Sequence, residues 1–290
     1  MTIQQQFHEL RKKLETRYDN REAGNIADMV MENITGQSRS ERMMLAHAEL
    51  TAQQENNIIE MAERLLKGVP VQYVLEEAWF MNRRFFVNQD VLIPRPETEE
   101  LVHWMIAHII EADPGKSLRV IDIGTGSGCI PVSLKLELPC LEVHALDVSE
   151  AALNMAKRNA SALGAEIEFH HTDFTDPEKW EPFHGFDMII SNPPYIPLEE
   201  KNEMEPHVVE QEPHLALFVP DNDPYLFYRL IAAFASQKLA PGGTVFMEIH
   251  ADAGENIRHL FKQTGFSAIE VKKDMQGKDR MVKARKTAVY

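Results

Sequence analysis

The chain has 290 residues, enough for one large domain or for a large one with a smaller companion. With 44% hydrophobic and 8% aromatic residues, its composition is that of a folded globular protein and excludes a disordered one. Its formal charge of −15 weighs against a nucleic-acid backbone as the main partner, since phosphate contacts call for the opposite sign.

The charge is unevenly spread. Residues 1–75 hold 9 Lys/Arg and 11 Asp/Glu, so nearly all the negative excess lies beyond them. The opening "MTIQQQFHELRKKLETRYDN" lacks the apolar core of a signal peptide. No stretch is long enough to span a bilayer, so a cytoplasmic protein without membrane attachment is expected. Cys129 and Cys140 lie in apolar segments without metal-ligand spacing and read as reduced core residues.

In the first part, Ile3, Phe7, Leu10, Leu14 and Tyr18 recur at helical spacing. "ERMMLAHAEL" (41–50) and "NNIIEMAERLLKG" (56–68) continue that period, and Gly68 and Pro70 close the last helix. Residues 1–75 are expected to form a small bundle of short helices with a docking or scaffold role. The next stretch, "AWFMNRRFFVNQDVLIPRP" (78–96), alternates apolar residues around an Asn-containing turn. It reads as a hairpin or extended linker over 76–93, ended by Pro94 and Pro96.

From residue 118 the pattern changes. Strands "LRVIDIG" (118–124), "LEVHALD" (141–147), "EIEFHHTD" (166–173), "FDMIISN" (186–192) and "GTVFMEI" (243–249) are expected. Between them fall helices "GCIPVSLKLEL" (128–138), "SEAALNMAKRNASALG" (149–164, with Ser149 as N-cap) and "YLFYRLIAAFASQKL" (225–239). Nearly continuous apolar strands that alternate with amphipathic helices predict an α/β domain over 94–290, with a parallel sheet covered on both faces. Residues 266–274 and 277–285 read as two more strands around a Gly-containing turn, an antiparallel edge.

Four stretches carry chemistry. "VIDIGTGSG" (120–128) runs a strand into Gly124, Thr125, Gly126, Ser127 and Gly128, where absent side chains let backbone approach a ligand. Its G-x-G-x-G spacing differs from the G-x-G-x-x-G of a dinucleotide site, which disfavours an NAD-dependent dehydrogenase. Asp147 ends the next strand about twenty residues on, where a carboxylate can accept from both hydroxyls of a ribose; its alternative is a charge at a helix N-terminus. Asp173 and Phe174 follow at the third strand's end, an acid for an exocyclic amine and a ring to pack on a purine. His170, His171 and Asp173 make a poor metal trio, because adjacent strand residues point to opposite faces, and no metal is expected.

"FDMIISNPPYIP" (186–197) ends the fourth strand in two prolines, which cannot donate to a sheet ladder. Taken alone, this is either a rigid turn or a pair of fixed acceptors. The Asn192 side-chain oxygen and the Pro193 carbonyl can hold both hydrogens of a planar –NH₂ group, with Tyr195 against its flat face. The site then suits an amide or an aromatic amine.

Together the Gly loop, Asp147 and Asn192-Pro193-Pro194-Tyr195 resemble S-adenosylmethionine-dependent methyltransferases that act on planar nitrogens. Two groups share that tetrapeptide: DNA adenine methyltransferases and the glutamine methyltransferases of peptide-chain release factors. "VLIPRPETEELV" (91–102), "VPVQYVLEEAWF" (69–80) and "MQGKDRMVKAR" (275–285) are similar to the second group. One departure is visible, since Glu76-Glu77 precede Ala78-Trp79-Phe80 where the family usually has Gly, any residue and Phe.

The resemblance implies a Rossmann-like domain behind a helical substrate-docking domain, with S-adenosylmethionine as cofactor. It also implies methyl transfer to the glutamine of the Gly-Gly-Gln tripeptide in release factors. Asn192, Pro193 and Tyr195 would be catalytic, and Asn192, Pro193, Pro194 and Tyr195 would hold the substrate. Gly124 through Gly128, Asp147, Asp173, Phe174 and Asn192 would hold the cofactor, and Arg95, Glu97 and Thr98 would shape its pocket. The acidic balance and the lack of a target-reading domain disfavour DNA, and an intact Asn-Pro-Pro-Tyr disfavours a non-catalytic cofactor-binding module.

Overall fold

The computed structural model describes residues 1–113 and 115–288. The chain divides into two compact units, Met1–Glu77 and Ala78–Tyr290.

The first unit holds α1 (Ile3–Leu14), α2 (Asn20–Thr35), α3 (Arg39–Met44), α4 (Ala52–Leu66) and α5 (Val71–Leu75). Side chains fix where these helices begin. Thr2, Ser38 and Thr51 each accept from the backbone three residues on, while Gln5, Glu41 and Gln54 reach back to the cap. Asp19 caps α2 and a left-handed Gly36 ends it. Ile3, Leu10 and Leu14 meet Ile26, Val30, Ile58 and Leu65 in one core.

The 41–50 stretch departs from the expected helical period. Helix α3 stops at Met44, and Met43, Met44 and Leu45 are exposed. The apolar spacing there mimics a buried face that the chain does not bury. The sequence reading also passed over α2.

The boundary between the units falls at the start of β1 (Glu77–Phe80), which is followed by β2 (Arg83–Phe86); the two strands are joined at Met81 and Asn82, both with positive φ. Two left-handed central residues match the right-handed strand twist, which is why the hairpin closes tightly. Helix α6 (Pro96–Ala112) follows with proline in its first turn, where no N–H is needed. Then come β3 (Arg119–Ile123), α7 (Cys129–Glu137), β4 (Glu142–Asp147), α8 (Glu150–Leu163), β5 (Glu168–His171) and β6 (Phe186–Ser191). A two-residue pairing of β7 (Ile196–Pro197) and β8 (Phe218–Val219) brackets α9 (Pro206–Gln211) and α10 (His214–Leu217). The chain finishes with α11 (Leu226–Lys238), β9 (Leu239–Glu248), α12 (Gly254–Gln263), β10 (Phe266–Lys273) and β11 (Asp279–Lys286). Helices α6 and α12 and the short elements from β7 to β8 are further elements absent from the sequence reading.

Seven strands form one sheet in the order β10-β11-β9-β6-β3-β4-β5. The five from β9 to β5 are parallel, and β10 and β11 make the antiparallel edge. Apolar side chains leave both faces. Val120, Met188 and Ile190 pack under α6 and α7, while Ile121, Ile123 and Ile189 pack under α11 and α12. The chain runs outward from β3 through β4 and β5, then returns to β6 on the other side of β3. That reversal opens a crevice at the carboxyl ends of β3 and β6, the place where open α/β sheets bind ligands.

Candidate functional site

Strand register decides what meets in the crevice. Ile123 pairs with Leu146 and Asp122 with Ile190, so the residues after β3, β4 and β6 emerge at one edge. After β3 the backbone turns through Gly124, Gly126 and Gly128, with φ of +75°, +54° and +77°. The three glycines serve different ends. A Cβ at Gly124 or Gly126 would meet nothing within 4 Å, whereas one at Gly128 would lie 2.9 Å from Ala156 Cβ. Gly128 therefore lets α8 pack against the turn, and the other two leave an open backbone cradle.

Asp147 ends β4 beside that cradle. It is 9% exposed; Oδ2 accepts the Gly126 N–H at 2.9 Å and Oδ1 accepts the Ser149 N–H at 2.9 Å. Burial raises its pKa, and the backbone donors oppose that shift. A carboxylate has about four acceptor positions, so capacity for two further donors remains on Asp147.

A cavity of about 370 Å³ lies over these groups, lined by Gly124 through Ser127, Asp147, Asp173 and Phe174, together with Arg95, Thr98, Asn192, Pro193 and Pro194. That volume is within the range of small-molecule sites. Phe174 is buried; its ring stacks on Trp180 and meets Phe234 edge-on. Asp173 accepts from the Thr175 hydroxyl at 2.6 Å and from its N–H at 3.0 Å, and that hydroxyl holds its carboxyl below the usual range.

A second cavity of about 230 Å³ adjoins the first, lined by Tyr195, Ile196, Met204, Val208, Leu217 and Glu248. Leu92, Arg95, Asn192, Pro193 and Ala216 line both. Asn192 and Pro193 thus stand at the junction, while Tyr195 faces the smaller space only. The segment that walls this space is tied down by Glu212, which takes Arg95 Nη2 at 2.5 Å and the Ile93 N–H at 3.3 Å.

Comparison with known proteins decides the family. The chain matches the family described as "Methyltransferase small domain" over residues 103–212 and the "PrmC N-terminal domain" over residues 5–75. It is 44% identical over 220 residues to the release factor glutamine methyltransferase of Flavobacterium psychrophilum, covering 76% of each chain. It is 37% identical over 277 residues to that of Bacteroides thetaiotaomicron, covering 96% of this chain and 98% of the relative. The chain belongs to the release factor glutamine methyltransferase family. In fold it is similar to a methyltransferase from Pyrococcus furiosus, with a TM-score of 0.51 at 13% identity, over 82% of this chain and 100% of that one.

The chain is an S-adenosylmethionine-dependent methyltransferase of that family, and its site fits the cofactor. Asp147 has acceptor capacity for ribose hydroxyls, and the cradle at Gly124 and Gly126 admits close backbone approach. No helix among the described residues of this methyltransferase is long and apolar enough to cross a membrane.

One placement differs from expectation, that of Cys140. Cys129 is buried and its thiol is pushed up to about 12 by burial, but Cys140 is only half-buried. His170 pairs with His144 on the neighbouring strand, and not with exposed His171 or Asp173. His144, Glu168 and His170 do bring ligand-type atoms within 4.8 Å of one another. However, the imidazole nitrogens are 3.1 Å apart with ring centroids at 5.4 Å, so they point at each other as hydrogen-bond partners do.

Three site-supporting residues went unread in the sequence. Asn159 donates to the Phe86 and Ser127 carbonyls at 2.9 Å each and accepts the Phe86 N–H at 2.7 Å, pinning the hairpin to the glycine turn. Glu212 and Glu248 are the others. A lone acid at the end of an apolar strand, as in "TVFMEI", is the signal that Glu248 offered.

Asp122, beneath the glycine turn, is fully buried, and neither of its oxygens has a well-formed hydrogen bond among the described residues. Burial raises its pKa from 3.8 to about 7; the Thr125 hydroxyl opposes that shift and the Asp147 charge adds to it. The folded chain then holds a proton that the unfolded chain releases between those values, so stability falls as pH rises across them. At 1.36 kcal/mol per unit the loss is roughly 4 kcal/mol. Asp122→Asn should remove that slope. Thermal melts at about pH 5 and about pH 8 should show the variant gaining on the wild type at the higher pH, and a constant gap would rule out the buried charge.

Proposed function

We propose that this methyltransferase acts on the side-chain amide nitrogen of the glutamine in the Gly-Gly-Gln tripeptide of a bacterial peptide-chain release factor. The observation that carries the reading is the junction of the two cavities at Asn192 and Pro193. One side of it holds the glycine cradle and Asp147. The other is a smaller space of about 230 Å³ lined by Tyr195 and the α9–α10 segment. The named relatives supply the substrate class.

S-adenosylmethionine supplies an electrophilic methyl group on a sulfonium. The chain's own residues do the rest. An amide nitrogen is a poor nucleophile because its lone pair is delocalised into the carbonyl, and positive charge develops on it as the new bond forms. Asn192 Oδ1 and the Pro193 carbonyl accept its two hydrogens, so both the charge and the direction of the nitrogen are favoured. Pro193 and Pro194 each fix φ, which leaves the acceptors little to reorganise. Tyr195 closes the substrate side. The spare proton leaves to water after transfer, and no side chain is assigned as general base. The helical unit Met1–Glu77 docks the rest of the protein substrate.

The test is one assay with three arms, using labelled S-adenosylmethionine. Release factor should take up label, while DNA should take up none and should not bind with the steep salt dependence of phosphate contacts. Residues 78–290 alone should keep cofactor affinity but label release factor more slowly. Label in adenine would overturn the substrate, and an undiminished rate in the third arm would overturn the docking role.

A further inference from the structure

Beneath Asn192 lies a buried polar chain that the reaction just described does not use. Asn192 Nδ2 donates to Thr98 Oγ1 at 3.0 Å, and the Thr98 hydroxyl donates to Glu248 Oε2 at 2.7 Å. The Tyr195 hydroxyl donates to the other carboxylate oxygen, Oε1, at 3.0 Å. Thr98 is 3% exposed and Glu248 2% exposed, so water does not compete for these groups. Four residues from α6, β9 and the turn after β6 are thereby joined into one network.

The direction of every bond in it follows from the carboxylate. An ionised carboxylate only accepts, so both hydroxyls must donate to it. Thr98 has one hydroxyl hydrogen; once that is given to Glu248, its oxygen can only accept from Asn192. The Asn192 amide is thus held with its nitrogen toward Thr98 and its oxygen available to the site. Turned by half a revolution, the same amide would present –NH₂ to the –NH₂ of a substrate, donor against donor. A turn ended by two prolines fixes the Asn192 backbone, but it does not choose between the ends of the amide.

We propose that Glu248, acting through Thr98, is a positioning residue for methyl transfer: it selects the oxygen end of Asn192 for the reacting nitrogen and holds Tyr195 in the substrate space. The inference rests on the reading of Asn192 as an acceptor for the substrate amide. Protonation of Glu248 reverses the chain, because a neutral carboxyl can donate to Thr98 and free its hydroxyl to donate to Asn192 Oδ1. The charged and titratable groups facing Glu248 are Glu97 on α6, Arg280 on β11, Tyr228 on α11 and Tyr195 itself. Burial raises its pKa and Glu97 adds to that, while the two hydroxyls and Arg280 oppose it. Methyl transfer should therefore weaken as pH falls through that raised value. Folding should not weaken with it, since a raised carboxyl pKa favours the folded state at the lower pH.

The experiment compares wild type with Glu248→Gln, Thr98→Val and Thr98→Ser. Single-turnover rates on release factor are measured at saturating S-adenosylmethionine across pH. Affinity for a glutamine-containing release-factor fragment is measured by calorimetry with S-adenosylhomocysteine present, and melting midpoints check folding. Glu248→Gln and Thr98→Val should each slow transfer by about ten- to a hundredfold, the range for one hydrogen bond to a charged group. Fragment affinity should drop in parallel, while cofactor affinity stays within about threefold. Thr98→Ser, which keeps the hydroxyl, should recover most of what Thr98→Val loses. The acid limb of the wild-type profile should be missing from Glu248→Gln. A wild-type rate in either Glu248→Gln or Thr98→Val, or an acid limb kept in Glu248→Gln, overturns the proposal. Asn192→Ala separates the two readings: if it is slow while Glu248→Gln is not, only the positioning role fails, and if it is as fast as wild type, the acceptor role has failed first.

Discussion

Asn192→Ala should slow methyl transfer by roughly a hundred- to a thousandfold, the cost of removing one preorganised group at a centre where charge develops. Were Asn192 only the last residue before a rigid turn, the substitution would cost some stability and leave the rate per folded molecule alone. The two outcomes are well separated because the local supports of the turn survive the change. Pro193 and Pro194 stay, and Ser191 still donates to the Ile123 carbonyl at 2.7 Å. Cofactor affinity should change far less than the rate, since Asp147 and the glycine turn keep their own hydrogen bonds when Asn192 is replaced. Single-turnover rates on protein with verified folding and cofactor saturation give the answer. A rate within a few-fold of wild type would return Asn192 to the role of a turn residue.

Asp147→Ala should weaken S-adenosylmethionine binding by about 1–3 kcal/mol, the range for lost hydrogen bonds to a charged group. The structure adds a second route to that loss, because Asp147 also holds the Gly126 N–H and the Ser149 N–H. Removing it releases the cradle as well as the ribose contact. Asp147→Asn tests the division. The amide oxygen can still take one backbone N–H, so the variant should fall between wild type and Asp147→Ala in affinity by calorimetry. Unchanged affinity in both would remove Asp147 from the cofactor site.

What could be read in the sequence was whatever is local. Strand and helix periods, the glycines after β3, the acid ending β4 and the two prolines after β6 each carry their meaning within a few residues. A parallel sheet then brings such strand ends together, because chain direction alone sets which edge they share. The α/β class with an antiparallel edge was legible for that reason. Residues 41–50 misled because Met43 and Met44 sit at helical spacing yet face solvent. Phe174 was read as a platform for a purine; it lines the larger cavity, and its ring also touches Trp180 and Phe234. The chain linking Asn192 to Thr98 and Glu248 could not be read, since those residues lie 94 and then 150 positions apart and only the folded sheet joins them. Thr98 itself looked like one residue of a pocket-shaping stretch. Its use depends on a strand nearly at the other end of the chain.

The proposed reaction places one methyl group on the amide nitrogen of a single glutamine in a protein. Incubation of the chain with S-adenosylmethionine and release factor, followed by fragmentation mass spectrometry of the product, tests it most directly. One added methyl is expected, confined to the side-chain nitrogen of the Gly-Gly-Gln glutamine, and no product when that glutamine is replaced. A methyl found on another residue, or undiminished methylation of the replaced substrate, would contradict it.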